Sequence, residues 1–372
     1  MEKATKYVTL DIVRGMAALW VFTYHYHPIN SNGFPWLDKS FSYGLMGVFV
    51  FFVVSGYCIT ASAYGAMRRG ESAMHFLYRR FRRIFPTFWC SIIVAVSIPY
   101  VIEMISSLKT GIYQSPEVNF SYFNIWDWFS LISLLQIFRT GGQALQSAFN
   151  SVNGVYWTLA IEVQFYIAVA AMLVIRRWFF QAIVTISFVS LLSIFSPNFD
   201  RTGLFLPYWP MFGLGMGLFV LLDNGWSVQK LIFRYKRPLA GIIMFIILSI
   251  IVILYRLALK NVNNIYSNII FSSATALLLW LLHPLDPSIR QLPYSRSAFL
   301  AIGGELLMLL GAMSYSIYLV HWKVWELAAQ FARQIFNVHT TGYALTAFAV
   351  TLIICYPFYI FCEKPFVKTV VK

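Results

Sequence analysis

The stretch GLMGVFVFFVVSGYCITASAY, residues 44–64, contains no charged residue. A helix of about 20 residues crosses the roughly 30 Å hydrocarbon core of a membrane, because each residue adds about 1.5 Å of rise. Similar runs recur along the whole chain, and no soluble domain fits between them. The runs predict ten spans, at residues 11–29, 44–64, 84–106, 155–175, 178–196, 204–222, 239–259, 266–284, 305–325 and 342–361.

The composition indicates a chain whose main solvent is lipid. Of the 372 residues, 59% are hydrophobic and only 11% are charged, whereas about 25% of residues are charged in an average soluble domain. The sequence shows no internal repeat and no low-complexity linker. We therefore predict an all-α fold, a polytopic transmembrane helical bundle formed by residues 1–372 as a single domain in a lipid bilayer.

The apolar segment Trp126–Phe138 is shorter than a spanning helix, so it is re-entrant, interfacial or an eleventh crossing. The placement of Lys and Arg favours a re-entrant or interfacial segment. If it does not cross, most of the 28 Lys and Arg residues fall in loops on one side of the membrane. The positive-inside rule then predicts that both termini are cytoplasmic.

The positions of the basic residues and of the cysteines argue against a nucleic-acid-binding protein and against a disulfide-bonded or metal-binding one. The formal net charge is +14, but Lys and Arg punctuate apolar runs instead of clustering in polar segments, so no nucleic acid partner is predicted. Four cysteines lie in or beside apolar stretches without paired or CxxC spacing. We predict neither a disulfide framework nor a metal site.

Ionisable residues inside the spans are the first candidates for function, since each costs about 2.5–3.5 kcal/mol to insert. In the first span, Arg14 precedes His25 by eleven positions. This spacing puts both side chains on nearly the same helix face, with about 16.5 Å of rise between them. A neutral imidazole at His25 can deprotonate a hydroxyl. Alternatively, His25 is a packed histidine at a helix interface.

The stretch FLYRRFRRIFP, residues 76–86, carries four arginines at the start of the third span. Arg80 and Arg83 share a helix face at i, i+3, which suits a clamp for phosphate. Alternatively, these arginines only mark the cytoplasmic end of the span and contact anionic lipid.

Two further ionisable residues are predicted at a depth similar to that of His25. Glu162 lies about seven residues, or roughly 10 Å, inside the outer end of its span, and His321 lies near the outer end of the ninth. Glu162 can orient the imidazole, stabilise its charge, or bind sugar hydroxyls. The alternatives are a carboxyl that fixes helix packing at Glu162 and an interfacial histidine at His321.

Other residues on these spans have both a functional and a packing interpretation. Trp157, with Tyr156 and Tyr166, is either a surface on which a sugar stacks or part of the interfacial aromatic belt. Ser55, beside Gly56, either lines a tunnel for a donor or lets two helices approach closely.

Six motifs, in order from Leu10 to Phe366, resemble those of the acyltransferase-3 family of membrane proteins. The matching residues are Leu10, Asp11, Arg14, Gly15, Ala17, Ala18, Val21 and His25; Gly47, Val48, Phe51, Phe52, Val53, Ser55 and Gly56; Arg79, Arg80, Arg83, Ile84 and Pro86; Trp157, Leu159, Glu162, Gln164, Phe165 and Tyr166; Ser314, Tyr315, Ser316, Tyr318, Leu319 and His321; and Glu363, Lys364, Pro365 and Phe366. Thr158, Val163, Phe49 and Lys323 depart from the family pattern.

The resemblance implies transfer of an acyl group, most often acetyl, to a carbohydrate or glycolipid such as O-antigen, capsule or exopolysaccharide. It implies a multi-pass protein of a bacterial cytoplasmic (inner) membrane without an appended esterase-like domain. It also implies that His25 is the essential catalytic histidine and that Arg14, Arg80 and Arg83 are donor-side residues. Asp11 and Gln164, which belong to the motifs, are expected to bind substrate or to be structural.

We therefore hypothesise O-acylation with acetyl-CoA as the donor, bound from the cytoplasm by the three arginines. His25 is then a general base or a transient acyl carrier, and Glu162 tunes it or the acceptor. The alternative is a secondary transporter or flippase, which also uses intramembrane His, Arg and Glu. A transporter predicts inverted repeats and Gly/Pro-broken helix pairs, and the sequence shows neither.

Overall fold

A computed structural model describes residues 7–26, 35–112, 120, 123–139, 149, 152–195, 202–229, 237–262, 264–338 and 340–367. These residues form helices and turns, and no strand occurs among them. The long helices are α1 Val8–Tyr26, α2 Gly47–Arg68, α3 Ala73–Thr110, α4 Tyr156–Val174, α5 Phe179–Ile194, α6 Trp209–Asp223, α7 Arg237–Ala258, α8 Ile265–Leu282, α9 Ala298–Ala312, α10 Ser314–Ala332 and α11 Thr341–Phe358.

The described part of the chain has eight helical stretches that are long and apolar enough to cross a membrane. They are Gly44–Arg68, Ala73–Thr110, Tyr156–Val174, Arg176–Ile194, Leu206–Asp223, Gly241–Ala258, Ile265–Tyr294 and Thr341–Phe366. The pair α9 and α10 adds a ninth if it is one bent span. Helix α1, which carries Asp11 and Arg14, is less apolar than these stretches and is not among them. It corresponds to the remaining predicted span. The all-α, multi-pass bundle is confirmed.

The predicted span at residues 305–325 is not one straight helix. The chain turns by 74° between α9 and α10, so the first part of this segment ends α9 and the second part begins α10. The apolar run continues through the break, which is why hydropathy alone missed it. Two serines inside the apolar run, Ser314 and Ser316, were a sequence signal for the break, and both are buried just after it. Backbone groups at the end of a helix inside a membrane need hydrogen-bond partners.

The segment Trp126–Phe138 forms no spanning helix, as predicted. It consists of the helices Ile125–Ile132 and Gln136–Arg139, separated by a turn in which Leu134 has a φ of 63°. Asn124 begins the first helix by accepting hydrogen bonds from the amides of Trp126 and Asp127. Neither helix is long enough to cross about 30 Å of hydrocarbon.

Helix α1 is fixed against the bundle along its first half. The carboxylate of Asp286 accepts hydrogen bonds from the backbone amide and the hydroxyl of Thr9, at 2.8 and 2.9 Å. Further along, a Cβ added at Gly15 would lie 2.7 Å from the backbone of Leu310, and one at Gly311 would lie 2.6 Å from the carbonyl oxygen of Asp11. These contacts set the position from which Arg14 and His25 extend.

Helices α2 and α6 cross at two glycines. A Cβ at Gly56 would collide with the carbonyl oxygen of Phe212, and a Cβ at Gly215 would collide with that of Val53. Backbones that approach this closely gain van der Waals contacts that bulkier residues prevent. The packing role proposed for the Ser55–Gly56 pair is therefore confirmed at Gly56.

We predict that Gly215→Ala lowers the unfolding temperature of the purified protein, because the new methyl group meets the α2 backbone. Gly217→Ala on the same helix is the matched control, since a Cβ there meets nothing within 4 Å and alanine is favoured over glycine in helices by about 1 kcal/mol. Equal unfolding temperatures for the two variants in a thermal melt would contradict the close crossing.

Candidate functional site

Two small cavities adjoin each other among α1, α2, α3, α4 and α10. The first has a volume of about 40 Å³ and is lined by Arg14, Val48, Phe51, Phe52, Ser55, Thr158, Leu159, Glu162, Tyr315 and Tyr318. The second has a volume of about 30 Å³ and is lined by Arg14, Ser55, Cys58, Ile59, Arg80, Arg83, Ile84, Glu162, Tyr166 and Tyr315. Because they share four lining residues, we describe the two cavities together as the polar path.

The second cavity brings together the three arginines that the sequence singled out. Helix α3 supplies Arg80 and Arg83 from successive turns, and α1 supplies Arg14. The Nε of Arg80 is buried and has no hydrogen-bond partner, while its guanidinium lies 5.7 Å from the centre of the Phe76 ring. A buried guanidinium with an unused donor is suited to an anionic oxygen.

The neighbouring Arg79 has a different, structural partner. Glu71, in the turn between α2 and α3, lies 2.7 Å from the Nε of Arg69 and 2.5 Å from Arg79. Arg69, and to a lesser extent Arg79, hold the pKa of the Glu71 carboxyl at about 2. Arg176 also donates to the carbonyl oxygen of Glu71. The ionised carboxylate therefore engages Arg79 outside the cavity, and Arg80 and Arg83 are the two that line it.

Glu162 lies between the two cavities. Its Oε1 accepts hydrogen bonds from Ser55 and Tyr166, both at 2.7 Å, and so joins α4 to α2. Glu162 and Arg14 line the same two cavities, whereas His25 lines neither. The predicted depth of Glu162, similar to that of His25, stays a prediction.

A carboxylate from the end of the chain caps the start of α10 beside this path. The Oε2 of buried Glu363 accepts hydrogen bonds from the amide and the hydroxyl of Ser316, at 3.0 and 2.6 Å. A negative charge at a helix N-terminus also interacts favourably with the helix dipole. The preceding residue, Tyr315, lines both cavities and donates to the carbonyl oxygen of Ile84 at 3.1 Å. Sequence reasoning assigned no role to Tyr315 or Glu363.

The polar path continues from the first cavity towards His25. Tyr318 lines that cavity, shares a 2.7 Å hydrogen bond with Thr158, and has its ring centre 6.3 Å from that of His321. The rings of His321 and His25 are 5.5 Å apart, centre to centre, and the His25 ring stacks on Trp322 at 4.5 Å. The prediction that His321 lies at the depth of His25 is therefore confirmed.

Five candidate residues line neither cavity: His25 and His321, which lie beside each other, and Trp157, Gln164 and Asp11. Trp157 packs against Phe52 and Tyr208, with ring centres 6.4 and 5.6 Å apart. The side chain of Gln164 donates to the carbonyl of Gly203 and accepts from the amide of Phe205, so it ties α4 to the turn before α6. The backbone of Asp11 forms the close contact with Gly311.

The positions of Tyr166 and Tyr156 do not fit the interfacial aromatic belt. Tyr166 is only 4% exposed and Tyr156 is fully buried. The hydroxyl of Tyr156 shares a hydrogen bond with Ser91 at 2.9 Å, while that of Tyr166 donates to Glu162. Both rings therefore belong to the interior of the bundle and hold its polar groups in place.

Comparison with known proteins gives a consistent result. The model of the acyltransferase-3 family, described as an acyltransferase domain, matches residues 7–360. The peptidoglycan O-acetyltransferase OatA of Listeria monocytogenes is 29% identical over 188 residues, which are 48% of this chain and 27% of the relative. The O-acetyl transferase of Shigella phage Sf6 is 26% identical over 230 residues, which are 59% of this chain and 64% of the relative.

A third relative aligns over most of the chain. A putative O-acetyltransferase of Staphylococcus aureus strain COL is 24% identical over 349 residues, which are 87% of this chain and 51% of the relative. The chain thus spans between 27% and 64% of the length of these three relatives. No solved structure matches it.

We predict that Glu363→Ala lowers the unfolding free energy by about 1–3 kcal/mol, the usual cost of a buried polar group left without a partner. The affected group is the backbone amide of Ser316 at the start of α10. Lys260→Ala, which removes an exposed charge from the turn after α7, is the control and leaves stability nearly unchanged. Equal loss of stability in the two variants, measured by denaturant titration, would refute the capping role.

Proposed function

Because the chain belongs to the acyltransferase-3 family, we propose that it is a membrane O-acetyltransferase that moves an acetyl group from cytoplasmic acetyl-CoA to a hydroxyl of an extracytoplasmic carbohydrate or glycolipid. The observation that carries this proposal is the convergence of Arg14, Arg80 and Arg83 on a cavity whose polar path continues towards His25. The names of the relatives supply the acetyl group and, for one of them, a polysaccharide acceptor.

The arginine end of the path binds the phosphates of the donor in this proposal. Arginine pairs with phosphate oxygens through two parallel hydrogen bonds, which gives both orientation and affinity. The lining of the second cavity contains three guanidinium groups and one carboxylate, that of Glu162. This excess of positive charge favours an anion there. The positive-inside rule supports a cytoplasmic position for this end and for both termini.

The path widens when the donor binds. Cavities of about 40 and 30 Å³ hold little more than water, whereas the acyl-bearing arm of the donor is much larger. Tyr315 lines both cavities and Tyr318 lines the first. Side-chain movement at these two tyrosines of α10 opens the way from the arginines towards His25.

His25 then acts as the general base. It takes the proton of the acceptor hydroxyl while the hydroxyl oxygen attacks the thioester carbonyl, so that a carbon–oxygen bond forms and the carbon–sulfur bond breaks. The proton passes from His25 to the departing thiolate, which leaves as the free thiol. The competing route, in which His25 carries the acetyl group, would leave labelled acetyl on the protein after a single turnover without acceptor.

The acceptor belongs to the bacterial envelope in this proposal, because the relatives come from bacteria and a bacteriophage and one is named for peptidoglycan. The membrane is then the bacterial cytoplasmic membrane. O-antigen, capsule and exopolysaccharide are the acceptors that we expect from the family. Each presents hydroxyl groups on the outer side, where this proposal places His25.

We predict that Arg80→Gln and Arg83→Gln each weaken acetyl-CoA binding to the purified protein about tenfold or more. The loss of one charge-assisted hydrogen bond costs about 1.5–3 kcal/mol, and every 1.4 kcal/mol is a factor of about ten in Kd. Binding is measured by calorimetric titration. Arg256→Gln, on the exposed face of α7, is the control and leaves Kd unchanged.

Two results would count against the donor site. The first is a wild-type protein that binds no acetyl-CoA. The second is that Arg80→Gln and Arg83→Gln bind acetyl-CoA as tightly as the wild type and Arg256→Gln do.

A further inference from the structure

His321 is held by only one of its two ring nitrogens. Its Nδ1 lies 2.9 Å from the carbonyl oxygen of Ile317 and 2.9 Å from that of Tyr318. A carbonyl oxygen only accepts hydrogen bonds, so Nδ1 is the nitrogen that carries the proton. The tautomer of His321 is therefore assigned by its own helix.

The other nitrogen, Nε2, is then an acceptor with an unused lone pair. Nε2 is buried and has no hydrogen-bond partner, and the whole residue is 0% exposed. Buried polar atoms without partners are uncommon in folded proteins and point to a strained, catalytic or ligand-binding position. His321 thus presents a bare acceptor inside the bundle.

The ring of His25 lies beside this acceptor. The two ring centres are 5.5 Å apart and the rings are tilted by 33°. The face of His25 is taken by Trp322, on which it stacks at 4.5 Å and 29°. Stacking fixes the plane of the His25 ring.

We propose that His321 is a positioning residue for His25: Nε2 of His321 accepts a hydrogen bond from a ring N–H of His25. This inference rests on the function proposed above. In that arrangement the second ring nitrogen of His25 takes the proton of the acceptor hydroxyl. His321 itself neither gains nor loses a proton.

The hydrogen bond from His25 to His321 is strongest once His25 has taken the proton of the acceptor hydroxyl. After His25 has taken the acceptor proton it is an imidazolium with two N–H groups, and a hydrogen bond from a charged donor is about twice as strong as one between neutral groups. An interaction that strengthens in the transition state raises the rate without tightening donor binding. Catalytic hydrogen bonds are often long before substrate binds, which accounts for the open Nε2 here.

A purely structural role for His321 would use Nδ1, because that nitrogen makes the two bonds to the helix. The two roles are separable by substitution. In His321→Asn, the side-chain amide retains a donor close to the position of Nδ1 and provides nothing at Nε2. In His321→Gln, the longer side chain places an amide oxygen near Nε2 and so retains an acceptor.

The test uses inside-out membrane vesicles from cells that make the native acceptor, lack the chromosomal gene and express each variant. Radiolabelled acetyl-CoA is added, and alkali-labile acetyl incorporation is measured per amount of protein in the membrane. We expect His321→Asn to lower kcat about tenfold to a hundredfold, at or below the lower end of the 10²–10⁴-fold that general acid–base catalysis contributes, with KM for acetyl-CoA unchanged. We expect His321→Gln to retain most of kcat.

The opposite order, with the Asn variant as active as the wild type or more active than the Gln variant, would assign His321 a structural role and overturn the inference. Wild-type rates in both variants would overturn it as well. His283→Asn, a histidine that contacts Tyr7 away from the path, is the control and keeps the wild-type rate. If the wild type incorporates no acetyl, or if His25→Ala incorporates as much as the wild type, the proposed function itself fails.

Discussion

The structure depends on one constraint: charged groups inside a membrane must be surrounded by protein. Arg14, Arg80, Arg83 and Glu162 meet it by lining common cavities in the centre of the bundle. Each would be costly against lipid. The close crossings at Gly15, Gly311, Gly56 and Gly215 bring α1, α2, α6 and α9 near enough to enclose these groups. The residues that are expensive to insert are thus the ones around which the helices pack.

The same constraint explains the break between α9 and α10. A helix that begins inside the bundle exposes backbone amides, and these need acceptors where no water is available. Glu363 supplies one at Ser316, although 47 residues separate them in the sequence. The break brings Tyr315 into both cavities and, two turns later, His321 beside His25. The motifs around Ser314 and around Glu363 therefore form a single structural unit.

Much of this site could be predicted from the sequence because helical periodicity determines which side chains share a face. The pairing of Arg80 with Arg83 and the link from Arg14 to His25 along α1 are of this kind. The bend between α9 and α10 and the Glu363 cap could not be predicted, since they depend on how separate helices are shifted and tilted against each other. The interior position of Tyr166 was missed for the same reason, because an aromatic near a span end also fits the membrane interface.

The central claim is that this chain forms an ester through His25. Its most direct test is the alkali-labile O-acetyl content of envelope polysaccharide, measured by mass spectrometry in cells that lack the gene and in cells complemented with wild type or His25→Ala. The account predicts that wild type restores an acetyl mass increment and that His25→Ala, present in the membrane at the same abundance, does not. Restoration of the same increment by His25→Ala, or identical polysaccharide in all strains, would contradict it.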